Sequence, residues 1–145
     1  MKSMRVGEVM TCKLVTVQPH EPVSLAIARM AEANVGSVAV CDGPSLVGIF
    51  TERDLVRIAN EGPRFAEVRI DDVMTPRPFT VNADDDIVAA ARLMGEKRIR
   101  HLPVVQDGML IGVIGIRDVM GSLVERVWRD RDGHARDTAR ELLRR

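Results

Sequence analysis

Thr51 and Asp54 are the residues of this sequence whose types and spacing best suit binding chemistry. They close the segment GIFTERD at residues 48–54. Thr51 is expected where a strand turns into a helix, so free backbone N–H groups, the helix dipole and its own hydroxyl favour a phosphate. Asp54, one turn later, offers a carboxylate that accepts hydrogen bonds from the paired hydroxyls of a ribose. The structural alternative is that Thr51 only caps the helix and Asp54 only favours its first turn.

A second candidate is the basic segment RIRHLP at residues 98–103. The guanidinium of Arg100 stays charged and presents a fork of donors that suits phosphate. The charge on His101 would vary with pH near neutrality. The alternative is a solvated basic helix end beside Glu96 and Lys97.

Catalytic and metal-binding arrangements are not evident in the sequence. The histidines lie far apart, at His20, His101 and His134. Cys12 and Cys41 have no metal-ligand spacing with each other or with a histidine. The acidic run at residues 84–86 stands at a helix start, where it favours the helix dipole. We therefore expect a binding module without catalytic residues, resident cofactor or metal.

The elements that position these residues come from an internal duplication at an offset of 64 residues. Val9-Met10-Thr11 recurs at residues 73–75, and Arg53-Asp54 recurs at residues 117–118. Across residues 9–56, 13 of 48 positions are identical without a gap, and several others exchange one apolar residue for another. A period of this length indicates two copies of one supersecondary unit.

Each copy has the same pattern of predicted elements. A short apolar strand (14–17 and 79–81) precedes an amphipathic helix, whose apolar spacing starts at Val23 and at Ile87. Two strands around a Gly-containing turn follow, at residues 37–41 and 46–50 and again at 102–105 and 110–114. A second helix opens at Thr51 and stops near Gly62. The sequence predicts an α+β fold of tandem β-α-β-β-α repeats.

The expected domain organisation is repeat 1 at 1–62, repeat 2 at 63–125 and a C-terminal helical extension at 126–145. The segment from Gly62 to Val68 is the predicted linker. One copy of about 60 residues buries too little apolar surface to be stable alone. We therefore expect the copies to pack face to face about a pseudo-twofold axis, with clefts at their seam.

The element order, with GIFTERD at 48–54, GVIGIRD at 112–118 and RIRHLPVV at 98–105, closely resembles the CBS domain pair, or Bateman module. The resemblance covers residues 5 to 125. It implies a cleft in which the aspartate contacts ribose and the Ser/Thr lies near phosphate. It also implies that the basic segment of the opposite repeat completes the cleft, and that the residues before the first strand line the adenine pocket. The predicted ligand-binding residues are Thr51, Asp54, Ile49, Arg53, Arg100, His101, Pro103, Cys12 and Lys13.

The second cleft is expected to be weaker. Gly115 stands where the first copy has Thr51, and the first repeat offers NVGS at 34–37 where the second offers RIRH. The cleft built on Asp118 therefore lacks the hydroxyl and the cations. Glycine could still admit a ligand by close backbone approach. The residues assigned to this second site are Asp118, Gly115, Val113, Thr80 and Ser37.

Composition limits the classes of partner. The 21 basic and 21 acidic residues cancel, the aromatic content is 3%, and arginines of the extension alternate with acids. We expect no nucleic-acid partner. No apolar run approaches the length of about 20 residues that spans a membrane, and the cysteine usage predicts a cytoplasmic protein. An apolar stripe with Trp128 needs a cover, and CBS pairs commonly dimerise, so we expect a homodimer.

The leading functional hypothesis is a sensor whose geometry changes when an adenine nucleotide fills the cleft. AMP, ADP and ATP are the expected ligands, with NAD(H) or S-adenosylmethionine as alternatives, because all carry an adenine and a ribose diol. A second hypothesis is an interaction module that regulates a partner protein without nucleotide. A third, nucleic-acid binding, depends only on the arginine-rich C-terminal extension.

Overall fold

The computed structural model of the protein describes residues 4–62 and 64–130. The first repeat contains α1 (Val6–Val9), β1 (Thr16–Val17), α2 (Val23–Ala33), β2 (Ser37–Asp42), β3 (Ser45–Thr51) and α3 (Glu52–Ala59). The second contains α4 (Ile70–Val73), β4 (Thr75–Pro76), β5 (Val81–Asn82), α5 (Ile87–Lys97), β6 (His101–Gln106), β7 (Met109–Gly115) and α6 (Ile116–Asp130). The α+β fold of two β-α-β-β-α repeats is confirmed. The short helices α1 and α4 and the strand β4 were not predicted.

The long helix of each repeat has equivalent bounds. The side chain of Asp86 accepts a hydrogen bond from the backbone N–H of Val88 at 2.8 Å and so caps α5. Both helices end at a residue in the left-handed region, Asn34 after α2 and Arg98 after α5. This conformation turns the chain directly into the next strand.

The two sheets are related in the same way. In the first, β1 is parallel to β2, β2 pairs with β3 as an antiparallel hairpin, and β4 follows at the edge of β3. In the second, β5 is parallel to β6, and β6 pairs with β7. The hairpin turns contain Gly43 and Gly108, both at positive φ.

The start of each repeat packs on the other repeat. Val6 of α1 is fully buried in the core of repeat 2, and Ile70 of α4 is fully buried in the core of repeat 1. The next residues continue the exchange, since β4 pairs with β3 while Thr11 bridges to Val113 of β7. Val6 and Ile70 are 64 residues apart and are therefore equivalent positions of the two repeats. Because each is buried in the core of the opposite repeat, the exchange relates the two repeats by a pseudo-twofold axis.

A glycine in β3 and another in β7 leave room for this exchange. A side chain on Gly48 would collide with the sulfur of Met74, at the end of α4. A side chain on Gly112 would place Cβ 2.7 Å from the carbonyl oxygen of Thr11 and 2.9 Å from the sulfur of Met10. The absence of a side chain at these two positions lets the leading segment of one repeat lie close against the sheet of the other.

The last helix runs without a break across the boundary expected at residue 125. It starts at Ile116 and continues to Asp130. The part of the predicted extension after residue 130 lies outside the described residues. No helix within the described ranges is both long enough and apolar enough to cross a membrane.

Candidate functional site

Thr51 and Asp54 are joined where β3 passes into α3. The backbone N–H of Thr51 donates to Asp54 Oδ2 at 3.0 Å, and the Thr51 hydroxyl lies 3.2 Å from the same oxygen. The backbone N–H of Asp54 in turn donates to Thr51 Oγ1 at 3.4 Å. The pair thus forms a reciprocal capping box, which fixes both side chains.

The second carboxylate oxygen of Asp54 faces Arg57, one turn further along α3. Arg57 Nη2 lies 3.5 Å from Asp54 Oδ1 and donates to the carbonyl of Val73 at 3.0 Å. The side chain of Asp54 is 13% exposed. A carboxylate has about four lone-pair positions, so these contacts orient the group without using its whole acceptor capacity.

This junction lines a cavity of about 480 Å³ between the repeats, a volume within the range of small-molecule sites. Three segments form its walls: residues 49–54 of repeat 1, and residues 75–79 and 97–101 of repeat 2. Arg53 Nη1 donates to the carbonyl of Arg98 at 3.1 Å and so joins the repeats beside it. The lining residues are Ile49, Thr51, Glu52, Arg53, Asp54, Thr75, Pro76, Arg77, Pro78, Phe79, Lys97, Arg98, Ile99, Arg100 and His101.

Positive charge dominates these walls. Five lining residues are arginine or lysine, and two are carboxylates, Glu52 and Asp54. The ammonium of Lys97 lies 5.0 Å from the centroid of the Phe79 ring, a cation–π contact between two lining residues. The cavity can therefore attract and hold an anion, with apolar surface from isoleucine and proline beside it.

His101 stands where the two repeats meet. Its Nε2 would lie 3.2 Å from a Cβ added to Gly36, and the carboxylate of Glu52 is beside the same point. Burial of the imidazole lowers the pKa of His101 below its ordinary 6.5. The carboxylates of Glu52 and Asp118 act in the opposite direction, while Arg100 and Arg117 lower this pKa further. The ring is thus held neutral at neutral pH.

The structure brings together most of the residues expected at the first site. Six line the one cavity: Ile49, Thr51, Arg53, Asp54, Arg100 and His101. They come from β3 and α3 on one side and from the start of β6 on the other. The expectation that the basic segment of repeat 2 faces the Asp54 junction therefore has a geometric basis.

Three expected lining residues need correction. Cys12 and Lys13 were assigned to the Asp54 cleft, but the preceding Thr11 bridges to Val113 in the other sheet. Cys12 directly follows this bridge to repeat 2, and the side chain of Lys13 reaches the carbonyl of Ala33 at the end of α2, so neither residue joins the Asp54 cleft. Pro103 is buried in β6, two residues beyond the lining, where it pairs with Val113.

The segment that takes their place is residues 75–79 of repeat 2. At the offset of 64, Cys12 corresponds to Pro76 and Lys13 to Arg77. The duplication therefore identifies residues 75–79 as the equivalent of the segment that contains Cys12 and Lys13. It does not indicate which of the two sheets each segment packs against. Glu52 and Lys97 were also missed, and Arg98 and Ile99 were not assigned to the lining although they begin the basic segment that was identified.

The equivalent junction of repeat 2 is built differently. Asp118 Oδ2 accepts from the backbone N–H of Gly115 at 3.1 Å, with no hydroxyl beside it. Lys13 Nζ donates to the carbonyl of Ala33 at 2.6 Å, so a cation of the chain itself lies at the end of α2. The other residues assigned to this site are Val113, paired with Pro103, Ser37, paired with Thr51, and Thr80, exposed just before β5.

A comparison with models of protein families shows to which family this chain belongs. The family model of the CBS domain matches residues 6–61 and residues 70–125. The chain belongs to the CBS domain family. The two matched ranges begin at Val6 and at Ile70, the residues whose side chains are exchanged between the CBS repeats.

Relatives of this CBS pair are known in archaea, bacteria and plants. An uncharacterized protein of Methanopyrus kandleri is 38% identical over 125 residues, which are 83% of this chain and 63% of that protein. The CBS-domain containing protein of Agrobacterium tumefaciens is 28% identical with a TM-score of 0.75, over 83% of this chain and 99% of that one. CBSX2 in complex with AMP, a protein of Arabidopsis thaliana, is 32% identical with a TM-score of 0.72, over 84% and 97%.

CBS domain pairs are generally regulatory, non-catalytic modules. Within residues 4–62 and 64–130, no group of three His, Cys, Asp or Glu side chains is arranged to hold a metal ion. The chemistry that the cavity offers is hydrogen bonding and charge, which serve recognition.

Proposed function

We propose that this protein is a non-catalytic regulatory module that binds an adenine nucleotide between its CBS repeats, at one strong site per chain. The observation that carries the proposal is the cavity in which Thr51 and Asp54 of repeat 1 lie together with residues 97–101 of repeat 2. A ligand there contacts both repeats, so binding would favour one relative arrangement of them.

The sugar is assigned to Asp54. Its carboxylate is held by Thr51 and Arg57 and keeps acceptor capacity toward the cavity. Vicinal hydroxyls can each donate to a carboxylate. This favours a ribose over a deoxyribose, which lacks one of the two donors.

The base is assigned to the apolar part of the lining. Ile49, Ile99, Pro76 and Pro78 supply flat or branched apolar surface on two sides of the cavity. Burying the face of a purine against such groups removes apolar area from water. The structural relative CBSX2, 32% identical, is solved with AMP, which supports adenine as the base.

The phosphate is assigned to the cationic side, where the start of α3 and the arginines of repeat 2 meet. Arg100 offers donors in a fork that matches phosphate geometry. Thr51 stands at the N-terminal end of α3, where the helix dipole favours an anion. The Asp118 junction has no such hydroxyl and holds Lys13 against Ala33, which supports a single strong site.

Isothermal titration with AMP, ADP and ATP tests this proposal. We expect about one site per chain, and a thermal shift that grows with ligand concentration as binding linkage requires. Asp54→Ala should abolish both signals. Two sites of equal affinity would contradict the asymmetry, and no binding by any adenosine compound would contradict the nucleotide function itself.

A homodimer is also proposed. Val56 of α3 and Met120 of α6 are 71% and 51% exposed, although both are large and apolar. They occupy equivalent positions at the offset of 64, so each repeat exposes one of them at the same place in its fold. A symmetric dimer uses the same patch on both subunits, and a second copy of this chain fits that requirement.

The free thiols of Cys12 and Cys41 fit a reducing compartment, and we propose the cytoplasm.

The alternative function is an interaction module that regulates a partner protein without nucleotide. The observation that favours it is that both oxygens of Asp54 already have protein partners, Thr51 and Arg57. In that case Asp54 would serve α3 alone. The titration above separates the two functions, because only the nucleotide-binding module responds to adenosine compounds.

A further inference from the structure

Building on the proposed function, we infer that the ligand of this cavity carries at least two phosphate groups, as a nucleoside diphosphate or triphosphate does. The inference concerns which adenosine ligand is selected. AMP, ADP, ATP and S-adenosylmethionine share the adenine and the ribose diol, and they differ in charge. The charges and the backbone conformation of the lining therefore discriminate among them.

The number of available cations exceeds what one phosphate needs. The lining contains Arg53, Arg77, Lys97, Arg98 and Arg100. Among residues 4–62 and 64–130, no ion pair uses any of these five. Of the two lining carboxylates, Asp54 is already paired with Arg57, which lies outside the lining. Five cationic residues thus line one cavity, where their charges repel one another unless an anion of higher charge enters.

Two of these arginines are held in a backbone conformation that other residue types adopt more easily. Arg77 has φ 46° and Arg98 has φ 54°, both in the left-handed region. The other two non-glycine residues at positive φ in the described ranges are Asn34 and Asp107, types that tolerate it. Strained residues that persist cluster at functional sites. Both of these arginines line the same cavity. This indicates that arginine is present at the two positions for its charge, although other residue types would adopt the backbone conformation more easily.

The duplicated half of the chain is a built-in reference for the same positions. Ala33 corresponds to Lys97, Asn34 to Arg98 and Gly36 to Arg100. The fold therefore accepts uncharged residues at three of the five cation positions. Their replacement by cations on this side alone points to the ligand as the cause.

The cations also come from all three walls of the cavity. Arg53 belongs to repeat 1 and donates to the carbonyl of Arg98, Arg77 lies between the prolines of the second wall, and Lys97 lies over Phe79. One phosphate attached next to the ribose has a single position and cannot serve all three walls. A chain of two or three phosphates can extend along them. S-adenosylmethionine places a positive sulfonium where the ligand should be negative, so it is disfavoured.

The test is isothermal titration of the full chain with AMP, ADP, ATP and S-adenosylmethionine at one ionic strength. We expect ADP and ATP to bind at least about tenfold more tightly than AMP, as added charge-assisted contacts to phosphate predict. The variant Lys97→Ala/Arg98→Asn copies the residues of the first repeat. It should lose about tenfold or more in ADP affinity while AMP affinity changes little.

The control is Arg92→Ala, an exposed residue of α5 outside the lining, which should keep both affinities. Because asparagine tolerates the left-handed region, Arg98→Asn should also fold at least as stably as the parent. AMP binding as tightly as ADP, or tight binding of S-adenosylmethionine, would overturn the inference and leave the nucleotide module standing. Absence of binding by all four compounds would overturn both.

Discussion

Asp54 and Asp118 accept the same helix-capping hydrogen bond, from the backbone N–H of the residue three positions earlier, at 3.0 Å and 3.1 Å. Their surroundings then differ. Asp54 also meets the Thr51 hydroxyl and Arg57 and is largely buried, whereas Asp118 is exposed beside a glycine. Both aspartates cap their helix in the same way. Any difference between them in ligand binding therefore comes from the further contacts at the junction of β3 and α3.

Substitution of each aspartate by asparagine separates capping from recognition. The asparagine carbonyl can still accept the capping bond, so each variant should lose no more than about 1 kcal/mol of unfolding free energy. Asp54→Asn should nevertheless weaken nucleotide binding at least about tenfold, since hydrogen bonds to a charged acceptor are the stronger ones. Titration calorimetry and urea denaturation measure the two effects.

Asp118→Asn is the matched control for this experiment. It should leave nucleotide affinity near that of the parent protein. Equal loss of affinity in Asp118→Asn and Asp54→Asn would mean that the two clefts contribute alike, and the single-site proposal would then fail.

Acid should destabilise this protein through His101. Burial lowers the pKa of His101 below 6.5 in the folded chain. Below about pH 6.5 the unfolded chain therefore takes up a proton that the folded chain does not. Stability is fully present above this pH and falls as the pH drops from 6.5 toward the folded pKa. Urea denaturation at a series of pH values between 7.5 and about 5 measures the slope.

The variant His101→Asn should show a smaller loss of stability over this range, because the titrating group is gone. His20→Asn, at an exposed histidine, is the control and should keep the slope of the parent. A parent protein that grows more stable on acidification through this range would show that Glu52 and Asp118 outweigh burial.

The duplication made most of the fold predictable. Apolar spacing from Val23 and from Ile87 gave both long helices, and the Gly-containing turns gave both hairpins. The exchange of leading segments was not predictable, because Val6 and Ile70 look like ordinary apolar residues and either core could accept them. The displacement of Cys12 and Lys13 from the Asp54 cleft is the consequence of that one missing fact.

The charge of the site was only partly predictable. Arg100 and His101 were identified because they stand in the segment that resembles the family. Arg77 was hidden between prolines, where sequence indicates only a turn. Its position in the lining depends on β4 pairing with β3, a contact between repeats that local sequence does not encode.

The two exchange glycines should differ in their tolerance of a methyl group. An alanine at residue 112 would crowd the carbonyl oxygen of Thr11, which is fixed by its bridge to Val113. We expect Gly112→Ala to cost about 2–3 kcal/mol, in the upper range for overpacking. An alanine at residue 48 meets the side chain of Met74, which can rotate away, so Gly48→Ala should cost about 1 kcal/mol.

Urea denaturation of both variants tests this order. The variant Gly121→Ala is the control, because a Cβ at this helical glycine meets nothing within 4 Å. It should be neutral or stabilising, since alanine is favoured over glycine in helices. If Gly48→Ala proved the more costly of the two exchange variants, the close approach of Thr11 to β7 would not be as described.

The proposed dimer depends on the exposed pair Val56 and Met120, and a charge placed there should abolish it. The variant Val56→Glu/Met120→Glu buries two like-charged groups per subunit in a symmetric contact, and unpaired buried charge is strongly unfavourable. Sedimentation velocity at tens of micromolar should show a dimer for the parent and a monomer for this variant.

Met109→Glu, at an apolar residue that is 64% exposed in the second hairpin, is the matched control and should remain a dimer. Because the substituted side chains are exposed in the single chain, far-UV circular dichroism and the unfolding free energy per subunit at low concentration should be unchanged. A parent protein that sediments as a monomer, or a double variant that remains dimeric, would remove this face from the interface.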